Sequence, residues 1–127
     1  MCRLIKFTVP GRPRPKGRPR VTKNGTYTDP VTAAYQKSIR LIAANYIKRP
    51  LMGDVELGIM LYFADKAHGD GDNVFKAVAD SLNKMAYIDD KQIKRGVWEI
   101  QYIDANLPSK QRKQQERTEV TLDYYRG

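Results

Sequence analysis

The sequence predicts an α+β fold: a single small domain over residues 1–127, with one mixed sheet packed with two helices in the order β-α-β-α-β-β. Three observations predict it. Strand-like alternation of apolar residues occurs at four places and helix-like periodicity at two. The strands and helices also interleave along the chain. Finally, 127 residues suffice for one two-layer core but not for a core plus a separate binding module.

Ile5, Phe7 and Val9 alternate with Lys6 and Thr8, and Pro10-Gly11 ends this first strand. Residues 10–28 form a basic, proline-rich arm. In it Arg12, Arg14, Lys16, Arg18 and Arg20 stand at every second position among Pro13, Pro15 and Pro19, a density of proline that excludes a helix and favours extended, polyproline-like chain. Asp29-Pro30 reads as a helix cap followed by proline in the first turn, and Val31, Ala34, Tyr35, Ile39, Ile42 and Tyr46 carry a helical face to about Lys48. Val55, Leu57, Ile59, Leu61 and Phe63 then alternate strictly, as a central strand does.

A polar loop, 64–69, delivers the chain to the second helix, with Asp72 as its expected cap and Val74, Phe75, Val78, Ala79, Leu82 and Met85 as its apolar face. After Tyr87 and Asp89-Asp90 a strand is expected over about 91–103, with Trp98, Ile100 and Tyr102 on one face and Ile93 on the other, which calls for a bulge near Gly96. Residues 104–116 read as a polar connection and 117–125 as the last strand, antiparallel to the one before it.

Hydrophobic residues make up 41% and charged residues 29%, the balance of a soluble globular protein. No apolar run is long enough to span a membrane, the N-terminus lacks the pattern of a signal peptide, and the lone Cys2 cannot form an internal disulfide, so a reducing, cytoplasmic setting is expected. The net charge is +9, and residues 1–28 hold eight Lys or Arg with no acid. Positive charge confined to one extended arm suits a string of phosphates, with Arg12, Arg14, Lys16, Arg18, Arg20 and Lys23 as the candidate contacts. A merely solvated basic loop or a targeting signal would share that composition.

Against this basic background, five aspartates fall between residues 70 and 90. Asp70 and Asp72 straddle Gly71 and can converge on a hard cation such as Mg²⁺, which takes oxygen ligands and keeps waters and substrate phosphate as the rest of its shell. Lys76 follows Asp72 by one turn. Asp89-Asp90 strengthens the reading only if the chain returns, because a helix of about thirteen residues is roughly 20 Å long. Taken singly, Asp72 could be only a cap, the Lys76 pairs only surface contacts, and Asp89-Asp90 only a turn. His68 is the sole histidine, so a multi-histidine zinc site is excluded, and no GxxxxGK or GxGxxG stretch offers a nucleotide loop.

These residues together resemble a known family. Asp70-Gly-Asp72-Asn73, then Lys76, Asp80, Leu82-Asn83, Tyr87 and Asp89-Asp90-Lys-Gln92-Ile93 are similar to the signature of the RusA family of Holliday junction resolvases, and residues 15–20, PKGRPR, with Tyr27-Thr28, resemble its N-terminal region. One departure is Lys84, where many members have glycine. The resemblance implies a RusA-like fold and a Mg²⁺-dependent endonuclease, with Mn²⁺ as a substitute, that acts as a homodimer and resolves four-way DNA junctions by paired symmetric nicks in recombination and repair.

Carried over by position, the resemblance implies Asp70, Asp72 and Asp90 as metal ligands, Asp89 as a reserve and Lys76 as an essential basic residue, with no small-molecule cofactor. The other readings of the same residues are a metal-dependent nuclease on flaps or other branched DNA, and a noncatalytic basic DNA-binding protein.

Overall fold

The structure, a computed structural model, describes residues 4–16, 20–22, 25–27 and 29–127. Strict alternation over nine residues sets its centre. In β4, Val55–Phe63, every odd-numbered residue is buried and every even-numbered one half-buried, so one face of the strand lies in the core. Strands β1 (Ile5–Pro10), β5 (Ile93–Tyr102) and β6 (Arg117–Tyr124) join it in a four-stranded mixed sheet of order β1-β6-β4-β5. β6 runs antiparallel to both of its neighbours, whereas β4 and β5 are parallel.

Helices α1 (Pro30–Ala43) and α2 (Gly71–Leu82) pack against the sheet and against each other, α1 on β1 and α2 on β4 and β5. Phe7, Ile39, Leu57, Leu61, Phe63, Val74, Leu82, Tyr87, Val120 and Leu122 form the core between these layers. Asp29 caps α1 as expected, accepting from the Val31 amide, and Pro30 opens the helix. No helix among the described residues is long and apolar enough to cross a membrane.

Several local expectations change. The last two strands do not pair, because β4 lies between them. β6 takes the inner position since its alternation buries Thr118, Val120 and Leu122, whereas β5 is mostly exposed and goes to the edge. The bulge sits at Lys94 rather than Gly96: Val55 faces Ile93 and Glu56 faces Arg95, leaving Lys94 as the extra residue. Gly96 instead admits the Phe75 ring, which a Cβ there would meet at 2.5 Å.

The 104–116 connection contains a short helix, α3 (Ser109–Gln114), and α1 ends at Ala43, ahead of the expected Lys48. The later part of the arm is paired as well as extended: β2 (Arg20–Thr22) and β3 (Gly25–Tyr27) form an antiparallel ribbon.

Leaving α2, the chain turns through Lys84 at φ 69°, the left-handed region where a Cβ is crowded. The turn lets Met85 and Ala86 donate to the Leu82 carbonyl and brings Tyr87, fully buried, under the helix, where its hydroxyl donates to the Ala79 carbonyl at 2.6 Å. Lys84→Gly is therefore expected to raise stability by about 1 kcal/mol, read from urea denaturation. By contrast, Leu57→Ala is expected to cost about 2–5 kcal/mol in the same assay, since its side chain is fully buried.

Candidate active site

Loop 64–69 hands the chain from the end of β4 to Asp70, which caps α2 with extended backbone angles and accepts the Asp72 amide at 3.1 Å. The expected cap, Asp72, instead lies in the first turn. Its carboxylate is exposed and pairs with Lys76 at 3.3 Å. Gly71 between them is buried beneath the Trp98 ring, and a Cβ there would lie 2.5 Å from ring carbons. The two carboxylates therefore leave the helix start on either side of a packed glycine.

The second pair sits elsewhere. Asp89 caps a single 3₁₀ turn, Asp90–Gln92, and its carboxylate accepts the Lys91 amide at 2.9 Å. Gln92 closes the same capping box: its carbonyl oxygen accepts the Ile88 amide at 2.7 Å and the Asp89 amide at 3.1 Å, while its amide nitrogen donates to the Leu51 and Gly53 carbonyls, both at 2.8 Å. All of Gln92's hydrogen-bonding capacity thus fixes the turn that presents Asp90.

Backbone donation from Lys91 holds the Asp89 carboxyl below its ordinary range, whereas a hydrogen bond to Asp89, then loss of water, then the Asp89 and Asp80 charges, push Asp90 upward. Asp89 is committed to the fold through its cap.

Asp90 lines a shallow hollow of about 300 Å³ with Lys16, Phe75, Lys76, Ala79, Asp80 and Ile93. Lys16 pairs with Asp80 there at 3.0 Å. Asp70 and Asp80 are ten residues apart on α2, roughly 15 Å along the axis. One chain consequently presents Asp70 and Asp72 at the start of α2 and Asp90 toward its end. Among the described residues no group of three or more acidic, histidine or cysteine side chains could hold a metal ion. The ligand set Asp70, Asp72 and Asp90 is not assembled within one chain.

The arm is docked rather than splayed. The Lys16 amide donates to the Asn73 carbonyl at 2.9 Å, Thr32 donates to the Pro15 carbonyl at 2.9 Å, and Pro15 packs on Gly69. Arg12, expected as a phosphate contact, is tied into ion pairs with Glu116 at 2.6 Å and Asp65 at 3.1 Å. Arg14 lines a surface hollow beside Pro30 and Val31. Arg20 opens β2, while Arg18 and Lys23 lie outside the described residues.

Sequence reasoning passed over His68 and Trp98. The His68 ring stacks on Phe63 at 3.9 Å and bonds the Tyr102 hydroxyl at 2.7 Å. The signal for Trp98 was its place on the same strand face as Tyr102, but its partner Gly71 is distant in sequence.

Comparison with known families gives the class of the protein, a DNA-cleaving enzyme. The family model for endodeoxyribonuclease RusA matches residues 10–123, nearly the whole chain, and the protein belongs to that family of Holliday junction resolving endonucleases. Membership sets aside the noncatalytic DNA-binding reading. None of the curated proteins matches the chain.

The different commitments of the two adjacent aspartates separate in a stability measurement. Asp89→Ala is expected to lower the urea midpoint through loss of the cap, whereas Asp90→Asn should leave it unchanged or raise it by removing charge near Asp80 and Asp89.

Proposed function

We propose that the protein is a Mg²⁺-dependent resolvase that works as a homodimer and cuts two opposed strands of a four-way DNA junction by paired nicks during recombination and repair. The observation that carries this reading is the pair Asp70 and Asp72, exposed at a packed helix start with Lys76 one turn on. Asp70 and Asp72 would hold the ion, with Mn²⁺ as a substitute, and Asp90 would complete the set. When bound, the ion offsets charge on the scissile phosphate and makes a neighbouring water more acidic. Lys76 leans on Asp72 and is exposed, so it can turn to the phosphate as charge develops there.

The distance between the acid pairs favours a two-fold dimer in which Asp90 comes from the other subunit. Among the described residues no strand pairs with the outer edge of β5, which exposes Val97, Trp98 and Tyr102. Two copies paired antiparallel about Val97 would set Arg95 opposite the partner's Glu99, and Glu99 opposite the partner's Arg95. β5 runs from Ile93, next to Asp90, to Tyr102, which is bonded to His68 just before Asp70. Antiparallel pairing therefore brings the partner's Asp90 to the end of the strand where Asp70 and Asp72 stand. Phosphate contacts along the arm would supply affinity without reading sequence.

In a Mg²⁺-dependent assay with a four-way junction, a flap and linear duplex, we expect paired nicks on the junction. Asp72→Asn should retain junction binding and lose cleavage by more than about a hundredfold. Cleavage of the flap in preference to the junction would favour the branched-DNA reading, and an active Asp72→Asn would overturn the metal assignment. Mixing Asp72→Asn with Asp90→Asn subunits tests the shared site: one complete site per mixed dimer restores nicking, and no recovery places all ligands in one chain. Replacing Arg18 and Arg20 together with Ala should weaken junction binding and reduce its salt slope by about 2. Unchanged binding would remove the arm as a phosphate contact.

A further inference from the structure

Between the end of β4 at Phe63 and the cap at Asp70, the chain has no regular structure, yet it is fixed from several sides. Glu116 is 5% exposed, and its Oε2 accepts Arg12 Nη1 at 2.6 Å and the Ala64 amide at 2.9 Å. Arg12 Nη2 then reaches Asp65 at 3.1 Å and donates to the Ala67 carbonyl at 2.6 Å. Asp65 accepts the Ala67 amide at 2.9 Å, and the hydrogen bond from Arg12 holds its carboxyl below the ordinary range. The guanidinium lies 5.4 Å from the Phe63 ring centroid, and His68 stacks on that ring before bonding Tyr102. One arginine from the arm thus joins a buried carboxylate, an exposed carboxylate and a loop carbonyl.

A phosphate contact needs donors turned to solvent, but the Arg12 side chain is only 19% exposed and both terminal nitrogens are engaged. Nor does phosphate binding require a buried carboxylate, which is costly to leave unpaired. We propose that Arg12 and Glu116 are positioning residues for Asp70: they hold loop 64–69 in the one path that delivers the Asp70 carboxylate beside Asp72. The proposal rests on the reading of Asp70 and Asp72 as cation ligands. Lysine cannot replace Arg12, because a single ammonium on a flexible stem lacks the fork that spans Glu116, Asp65 and the Ala67 carbonyl at once.

The test uses the full-length protein with Arg12→Ala, Arg12→Lys and Glu116→Gln, each measured in three ways. Mn²⁺ binding without DNA is expected to weaken by about tenfold or more in all three, as for residues that orient a metal ligand. Junction affinity and its salt slope in EDTA should stay at the wild-type values, whereas a lost phosphate contact would lower the slope by about 1. Hydrogen exchange at the Ala64 and Ala67 amides should quicken.

Wild-type Mn²⁺ affinity in the variants, or a reduced salt slope, would overturn the proposal. Should Arg12→Ala fail to fold, Glu116→Gln carries the same test, because glutamine keeps the size and one acceptor oxygen but loses the negative charge that holds Arg12. If the wild-type protein binds no Mn²⁺, the cation reading fails, and the exchange rates alone decide whether Arg12 holds the loop.

Discussion

The parallel pairing of β4 with β5 governs the rest of this molecule. Two parallel neighbours cannot be joined by a hairpin, so the chain must return across the sheet, and α2 makes that return. A crossover helix runs against its strands, which places the residues before it and after it at opposite ends of the sheet. Asp70 and Asp72 precede the body of the helix and Asp90 follows it. The separation of the acid pairs is thus a consequence of strand direction.

Around that constraint, hydrogen bonding sorts similar side chains into different duties. Asp89 spends its carboxylate on a cap, and Gln92 fills every donor and acceptor it has on neighbouring backbone, so Asp90 projects from a rigid turn without being used by it. Arg12 and Lys16 belong to the same basic run, yet one is locked on a buried carboxylate and the other meets Asp80 at the surface. One of these charges holds the arm to the second helix, through the Lys16–Asp80 pair. Its anchored part, residues 11–16, lies over the start of the second helix, so the arm and the candidate cation site are structurally continuous.

Much of the fold was legible because it follows from local periodicity. The β4 alternation, the Asp29-Pro30 helix start and the shared face of Trp98 and Tyr102 need only neighbouring residues to be read. The pairing of the last two strands was misread for a corresponding reason. Adjacency in sequence suggested a pair, whereas the sheet places strands by how much apolar surface each can bury, and β6 buries more than β5. The duty of Glu116 was invisible in the sequence: a glutamate in a polar connection gives no sign that Arg12, 104 residues away, will close over it.

By itself the sequence determined the family resemblance and the residues proposed for the chemistry: the spacing of Asp70, Asp72, Lys76 and Asp90 and the charge of the arm are properties of order along the chain. Only the tertiary structure decided which carboxylates stand together, which of two adjacent aspartates is spent on a cap, and which arginine is paired with a buried carboxylate. Those outcomes depend on contacts between segments that strand order and helix direction bring together or hold apart, and no local pattern encodes them.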